Sequence, residues 1–129
     1  PVIHTPRLSG DIGAVNNITD NAYHVVWIDS AAQDILLDGV TISHGNANGT
    51  GDNREGAAVF CLGDFTMQNV IISNNTGLSD GQLIRIRNAA AHLHLTDCTL
   101  YGPSDGFVKV LNTNAGNVTI SGNTEFRKE

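Results

Sequence analysis

Four side chains that could bind a sugar or an anion stand at matching positions of four short apolar segments. They are Trp27, Phe60, Arg85 and Lys109, in the segments "HVVWID", "AAVFCL", "QLIRIR" and "FVKVLN". If these segments are neighbouring strands, the four side chains form one column on the outer face of a sheet. Aromatic rings offer flat faces for stacking and cations attract acidic groups. The column therefore predicts a carbohydrate-stacking strip or an anion-binding patch for acidic sugars.

The same column also has a purely structural interpretation. Exposed apolar strips more often mark packing partners than glycan ligands. In that case Trp27 and Phe60 pack under a loop or a subunit interface, and Arg85 and Lys109 are solvated charges.

A second column contains carboxylates that could hold a metal ion. Asp34 and Asp64 each stand just before a strand, where the later repeats have His92 and Asn117. On neighbouring strands the two carboxylates would lie about 5 Å apart, close enough to share a cation such as Ca²⁺. Calcium takes about six or more oxygen ligands, and only Gln33 adds an obvious one. The alternative is that these corner residues hydrogen-bond the backbone. No other cofactor is expected.

No residue is predicted to be catalytic. Asp29 and Asp38 lie one side of a coil apart, so a carboxylate pair for glycoside hydrolysis is conceivable. However, the sequence places no general base near a Lys or Arg. Four histidines lack the spacing of zinc ligands: His24, His44, His92 and His94.

The composition excludes several classes of partner and site. The net charge is -6 and the seven Lys and Arg residues are scattered, so neither nucleic acid nor an anionic membrane surface is favoured. The apolar runs are short, so no membrane insertion is expected. Cys61 and Cys98 are too far apart for a disulfide framework or a zinc site. Buried free thiols are expected, with a disulfide as the alternative.

The elements that would position these side chains repeat along the chain. The pattern of strand, corner and strand occurs in "ILLDGVTIS" from Ile35, "FTMQNVIIS" from Phe65, "LHLTDCTLY" from Leu93 and "VTISGNTEF" from Val118. Each block opens with an apolar, variable, apolar triplet whose apolar members would point inward. It then turns at two residues rich in Gly, Asn and Asp, which tolerate left-handed backbone angles. These corners are Asp38-Gly39, Gln68-Asn69, Thr96-Asp97 and Ser121-Gly122.

The period of the repeat determines the predicted fold. With an incomplete first corner at Ser9, the corners begin at positions 9, 38, 68, 96 and 121, which are 29, 30, 28 and 25 residues apart. A period of roughly 20 to 50 residues is typical of repeat architectures. We therefore predict an all-β fold, a right-handed single-stranded parallel β-helix of about five coils with three short strands per coil. The 129 residues form a single domain, in which residues 1–22 are a partial first coil or cap and residues 23–126 are the repeat coils.

Two segments depart from the regular pattern. The longest connection, "HGNANGTGDNREG" from His44, is rich in Gly and Asn and is predicted to be an exposed loop. In the last block Asn123 and Glu125 replace the apolar pair that follows the corner. This coil is therefore either frayed or shifted in register so that Phe126 is buried.

The chain also resembles a known family. "LSGDIG", "NITDNAYHVVWIDSAAQDILLDGVTISHGNANG", "EGAAVF" and "FTMQNVIISNNTG" resemble the right-handed parallel β-helix repeat proteins of bacterial surfaces and, more loosely, the polymorphic outer-membrane repeats. The resemblance covers Leu8 to about Gly77. The chain departs from the family pattern at two places. Gly56-Ala57 replaces the Gly-Gly pair that usually precedes the coil-opening strand, and Ile71-Ile72 replaces the Phe that is common before the terminal Asn. The resemblance implies a secreted or cell-surface bacterial protein and assigns no catalytic residues.

These observations predict a non-catalytic structural or adhesive segment of a secreted or cell-surface protein that binds a polysaccharide or cell-surface glycan weakly. The alternative is a fragment of a polysaccharide lyase or glycoside hydrolase acting on acidic polysaccharide, because such enzymes share the fold. Each end of a β-helix exposes unpaired backbone groups, so end-to-end or side-by-side homo-oligomers are also expected.

Overall fold

The computed structural model describes residues 6–78, 83–88, 90–102, 111–112 and 118–128. Strands contain 45% of these residues and short helices 7%, which confirms the prediction of an all-β fold. Every pairing between the described strands is parallel. Within these ranges no helix has the length and apolar character that crossing a membrane requires.

The described strands are short and evenly distributed along the chain. They are β1 (Arg7–Ser9), β2 (Val26–Ile28), β3 (Ile35–Asp38), β4 (Thr41–Ser43), β5 (Asn46–Ala47), β6 (Val59–Cys61), β7 (Phe65–Gln68), β8 (Ile71–Ser73), β9 (Thr76–Gly77), β10 (Ile84–Ile86), β11 (Leu93–Thr96), β12 (Thr99–Gly102), β13 (Leu111–Asn112), β14 (Val118–Ser121) and β15 (Glu125–Lys128). Two single-turn 3₁₀ helices span Ile18–Asp20 and Gly51–Arg54.

Three larger sheets are formed by these strands. In spatial order, sheet 1 contains β2, β6, β10 and β13, sheet 2 contains β3, β7, β11 and β14, and sheet 3 contains β1, β4, β8, β12 and β15. The chain visits the sheets in the same order each time, passing through β2, β3 and β4 and then through β6, β7 and β8. The two short strands β5 and β9 pair separately, beyond the three strands per coil that the sequence predicts.

The four blocks align in sheet 2 in the predicted register. Ile35 pairs with Phe65, Phe65 with Leu93, and Leu93 with Val118. Alternate side chains of the central strands are buried, as the period of two requires: Phe65, Met67, Leu93 and Leu95. The repeated apolar triplets therefore build the core of the molecule.

The four corners of the repeated blocks are confirmed by their backbone angles. The incomplete first corner predicted at Ser9 is wrong, because Ser9 ends β1 in sheet 3 and pairs with Ser43 at the end of β4. The second residue of each of the four corners has a positive φ: 73° at Gly39, 52° at Asn69, 52° at Asp97 and 64° at Gly122. Gly pays no steric cost there, and Asn and Asp tolerate this region better than other residues do. This explains why only these residue types occupy that position in the four blocks.

The last repeat shifts its register by one residue. Leu100 pairs with Phe126, and Thr99 pairs with Glu125. Phe126 is partly buried against the core and β15 is paired along its length, so the predicted register shift is confirmed rather than a frayed strand. The shift is favourable because it places an aromatic ring, rather than the Glu125 carboxylate, beside Leu100.

Two predictions about register and loops are wrong. Arg85 pairs with Asn112 and not with Lys109, which lies outside the described residues. The segment "FVKVLN" has a pair of apolar residues on each side of Lys109, so alternation alone does not fix its register. Asn46 and Ala47, predicted to lie in an exposed loop, are buried in β5 and pair with Thr76 and Gly77.

The amide of Asn46 explains why a polar segment can be buried. Its Nδ2 donates to the Ile18 carbonyl at 2.7 Å, and its Oδ1 accepts from the Thr76 hydroxyl at 3.0 Å. A buried polar side chain is tolerated when its hydrogen bonds are made. Cys61 and Cys98 are also buried and are free thiols, which confirms the first of the two expectations for them.

Candidate functional site

An aromatic stack lies at one edge of sheet 1. Trp27 and Phe60 are register partners, and their rings are parallel within 9° with centroids 4.5 Å apart. Phe60 is fully buried, whereas Trp27 is 49% exposed. Because β2 is the edge strand of sheet 1 and Phe60 covers one face of the indole, the exposed part of Trp27 is its opposite face. The arrangement provides one flat aromatic platform, which we call the Trp27 platform.

His24 fixes this stack to the neighbouring loop. Its ring centroid lies 5.3 Å from that of Trp27, edge-on, and 5.0 Å from that of Phe60. Its Nδ1 is 3.0 Å from the Gly56 carbonyl oxygen, and its Nε2 is 3.2 Å from the side-chain oxygen of Asn53. The imidazole therefore links β2 to the 48–56 loop and restricts the rotation of Trp27.

The basic residue of the column is already paired. Arg85 Nε lies 3.2 Å from Glu55 Oε2, and both side chains are largely buried, with 17% and 16% of their surface exposed. The contact is coulombic, since the geometry at Nε is not that of a hydrogen bond. Arg85 Nη1 donates to the Ile86 carbonyl at 3.3 Å. Next to it, Arg87 forms an ion pair with Asp52.

The structure thus brings together three of the four residues of the predicted column. Trp27, Phe60 and Arg85 are neighbours in register, and only Trp27 has a large exposed surface. Sequence reasoning missed His24 and Glu55 as members of the site. Neither belongs to the alternating pattern, because His24 precedes β2 and Glu55 ends a long loop. The spacing of the strands contains no signal for them.

Asp34 and Asp64 both line a small cavity in the outer surface of sheet 2. The cavity has a volume of about 150 Å³, and His94 and Thr66 also line it. Asp64 Oδ1 accepts a hydrogen bond from the backbone N–H of His92 at 3.1 Å, as the alternative of backbone bonding requires. Among the described residues no group of three or more His, Cys, Asp or Glu side chains could hold a metal ion.

A larger cavity, of about 320 Å³, lies beside the first 3₁₀ helix. Asp11, Asn21 and His44 line it. Asp11 Oδ1 and Asn21 Oδ1 are buried and have no hydrogen-bond partner among the described residues. Two such oxygens are fewer than the six or more that Ca²⁺ takes, so the cavity is not assigned a ligand.

Comparison of the chain with protein-family models, with curated proteins and with solved structures found no match. The functional interpretation therefore depends on the residues of this chain alone, and the Trp27 platform is its best-defined exposed site.

Proposed function

We propose that this chain is a non-catalytic segment of a right-handed parallel β-helix, with a structural or adhesive role in a secreted or cell-surface protein, and that it binds carbohydrate on the Trp27 platform. The β-helix is supported by the path of the chain, which passes through sheets 1, 2 and 3 and returns one strand further along each time. The right-handed sense follows from the strong preference of parallel crossovers for that hand.

The exposed face of Trp27 is the observation that supports carbohydrate binding. Sugar rings have apolar faces that pack against aromatic rings, and Trp offers the largest such surface. Phe60 and His24 hold the indole in one orientation, so little conformational entropy is lost when a ligand stacks on it. An exposed aromatic side chain that is held rigidly in this way is better suited to binding a ligand than to stabilising the fold.

The tryptophan itself allows a direct test, because Trp27 is the single Trp of the chain. We would titrate the protein with soluble polysaccharides and follow its fluorescence, and measure retention on the insoluble ones. The expected result is a saturable fluorescence change in the parent protein and loss of retention on insoluble polysaccharide in Trp27→Ala, whose far-ultraviolet circular dichroism is unchanged. The matched control is Ile71→Ala in sheet 3, which also removes an exposed apolar side chain, 41% exposed, and should bind as the parent does.

Two results would contradict the proposal. One is the absence of binding to any polysaccharide, and the other is equal binding by the Trp27→Ala variant. The alternative function, degradation of acidic polysaccharide, would replace it if pectate or alginate gave a calcium-dependent rise in absorbance from unsaturated uronides, or new reducing ends.

A further inference from the structure

We infer that the ligand of the Trp27 platform is a neutral glycan, an inference that rests on the proposed function. The sequence alone predicts acidic sugars as well, because Arg85 and Lys109 follow the two aromatics in the column. In the structure the Arg85 guanidinium is engaged by Glu55, and the register places Asn112 in the position predicted for Lys109. No free cation of the described column therefore faces a ligand on Trp27.

The charges around the platform balance. Among β2, β10, the residue directly after each of them and the 48–56 loop, three arginines stand against three carboxylates, which sum to zero: Arg54, Arg85 and Arg87 against Asp29, Asp52 and Glu55. Two of these pairs are direct contacts, Arg85 with Glu55 and Arg87 with Asp52. The chain as a whole has a charge of -6, so the long-range field also repels an anionic ligand.

Asp29 adds a local repulsion. It lies two residues after Trp27, just beyond the end of β2, and it is exposed. Residues two apart along a strand point to the same face, so we expect it on the face that carries Trp27. Asp29 Oδ1 accepts hydrogen bonds from the Ala31 N–H at 3.0 Å and the Ser30 hydroxyl at 3.2 Å. A uronic acid stacked on Trp27 would bring a second carboxylate close to it, whereas sugar hydroxyls would meet no such repulsion.

The loop beside the platform offers neutral hydrogen-bonding groups. Asn48 and Thr50 are exposed there. Between them Gly49 packs close to the Tyr23 ring, since a Cβ added at Gly49 would lie 3.1 Å from it, and Tyr23 is itself 43% exposed. Amide and hydroxyl side chains next to aromatic rings suit the hydroxyl groups of a neutral sugar.

A pair of ligands with the same sugar backbone, one anionic and one neutral, tests the inference on the unmodified protein. We would titrate hexagalacturonate and its fully methyl-esterified form at low salt and follow Trp27 fluorescence. The ester should bind at least about tenfold more tightly, and added NaCl should narrow the difference by screening repulsion. Tighter binding of the free acid, weakened by salt, would overturn the inference and leave the proposed function intact. If no neutral or acidic oligosaccharide binds, the proposed function itself fails.

A substitution of Glu55 tests the role of the ion pair. Glu55→Gln releases the Arg85 guanidinium, so hexagalacturonate should bind about threefold to fivefold more tightly while the ester is unaffected. The matched control is Glu125→Gln, which changes the net charge equally and releases Arg127 in β15. Equal effects of the two substitutions would overturn the role given to Glu55. If Glu55→Gln does not fold, the two-ligand comparison on the parent protein still decides the inference.

Discussion

A single amide joins two repeats at Asn75. Its Oδ1 accepts from the Gly45 N–H at 2.9 Å, and its Nδ2 donates to the carbonyls of Ser73 at 2.9 Å and Ile42 at 3.1 Å. The side chain is 3% exposed, so water cannot replace these bonds. One residue therefore provides partners for three backbone groups, two of them in or just after β4 and one at the end of β8.

Removal of this amide should be costly. We predict that Asn75→Ala lowers the free energy of unfolding by about 2 to 3 kcal/mol, because it leaves buried backbone groups without partners. Urea unfolding followed by circular dichroism measures the loss. Asn48→Ala, the same substitution at an exposed position, should change stability by less than about 0.5 kcal/mol. Similar losses in both variants would show that the Asn75 bonds contribute little.

The two cysteines have thiols that resist ionisation. Burial raises the pKa of Cys61 from 9.0 to about 11, and a backbone hydrogen bond at Gly63 opposes part of this shift. The pKa of Cys98 is also raised by burial. Since the thiolate is the reactive species, both residues should be inert in the folded protein.

The raised pKa of Cys61 makes stability depend on pH. The folded state favours the protonated thiol, because its pKa is higher than in the unfolded chain. The stability that Cys61 contributes is therefore fully present below pH 9 and is lost as the pH rises towards 11. Urea unfolding at pH 9 and at pH 11 should therefore show that the free energy of unfolding falls less for Cys61→Ala than for the parent.

The burial of both cysteines also predicts their reactivity. A disulfide-exchange reagent at pH 8 should label neither thiol until urea is added. Rapid labelling of the folded protein would contradict the burial of both thiols.

At the scale of elements, the corners between sheets 2 and 3 are the most predictable feature. Gly39 has a φ of 73°, and a Cβ added there would meet nothing within 4 Å. We predict that Gly39→Ala costs about 1 kcal/mol, purely because the left-handed conformation is strained for Ala. Gly39→Asn should recover part of this loss, since Asn69 occupies the same position in the next repeat. Equal urea midpoints for the two variants would mean that side-chain type at the corner is unimportant.

The sequence predicts strands and corners because both follow local rules. The alternation of apolar and polar residues predicted β7 and β11. The residue types that tolerate a left-handed backbone predicted the corners at Asn69 and Asp97. The sequence predicted the burial of Phe60 only as one alternative and did not distinguish Phe60 from Trp27, because the cover comes from Trp27 and from His24, which is fixed by a loop distant in sequence. The pairing of Arg85 with Glu55 has the same origin. Features of the site that depend on loop closure over a sheet leave no periodic pattern in the chain.

At the scale of the whole molecule, burial decreases from the middle repeats to the ends. Met67 and Leu95 are fully buried in sheet 2, whereas Ile35 in the first strand is 40% exposed and Ile120 in the last is 48% exposed. A central strand has a neighbouring strand on each side, but β3 and β14 each have one among the described strands. In repeat architectures each unit is stabilised mainly by its neighbours, so the ends are the least stable parts.

This gradient should be visible in hydrogen exchange. We predict that backbone amides of Phe65–Gln68 and Leu93–Thr96 exchange most slowly, and that those of Ile35–Asp38 and Val118–Ser121 exchange faster, because end strands open without disrupting the middle repeats. Mass spectrometry of peptides covering the four strands measures the rates. The four peptides belong to one sheet and are therefore directly comparable. Their intrinsic exchange rates are measured in the unfolded chain, so that only the protection caused by folding is compared. Uniform protection would mean that the repeats unfold as one cooperative unit and that an end strand is as firmly held as a central one.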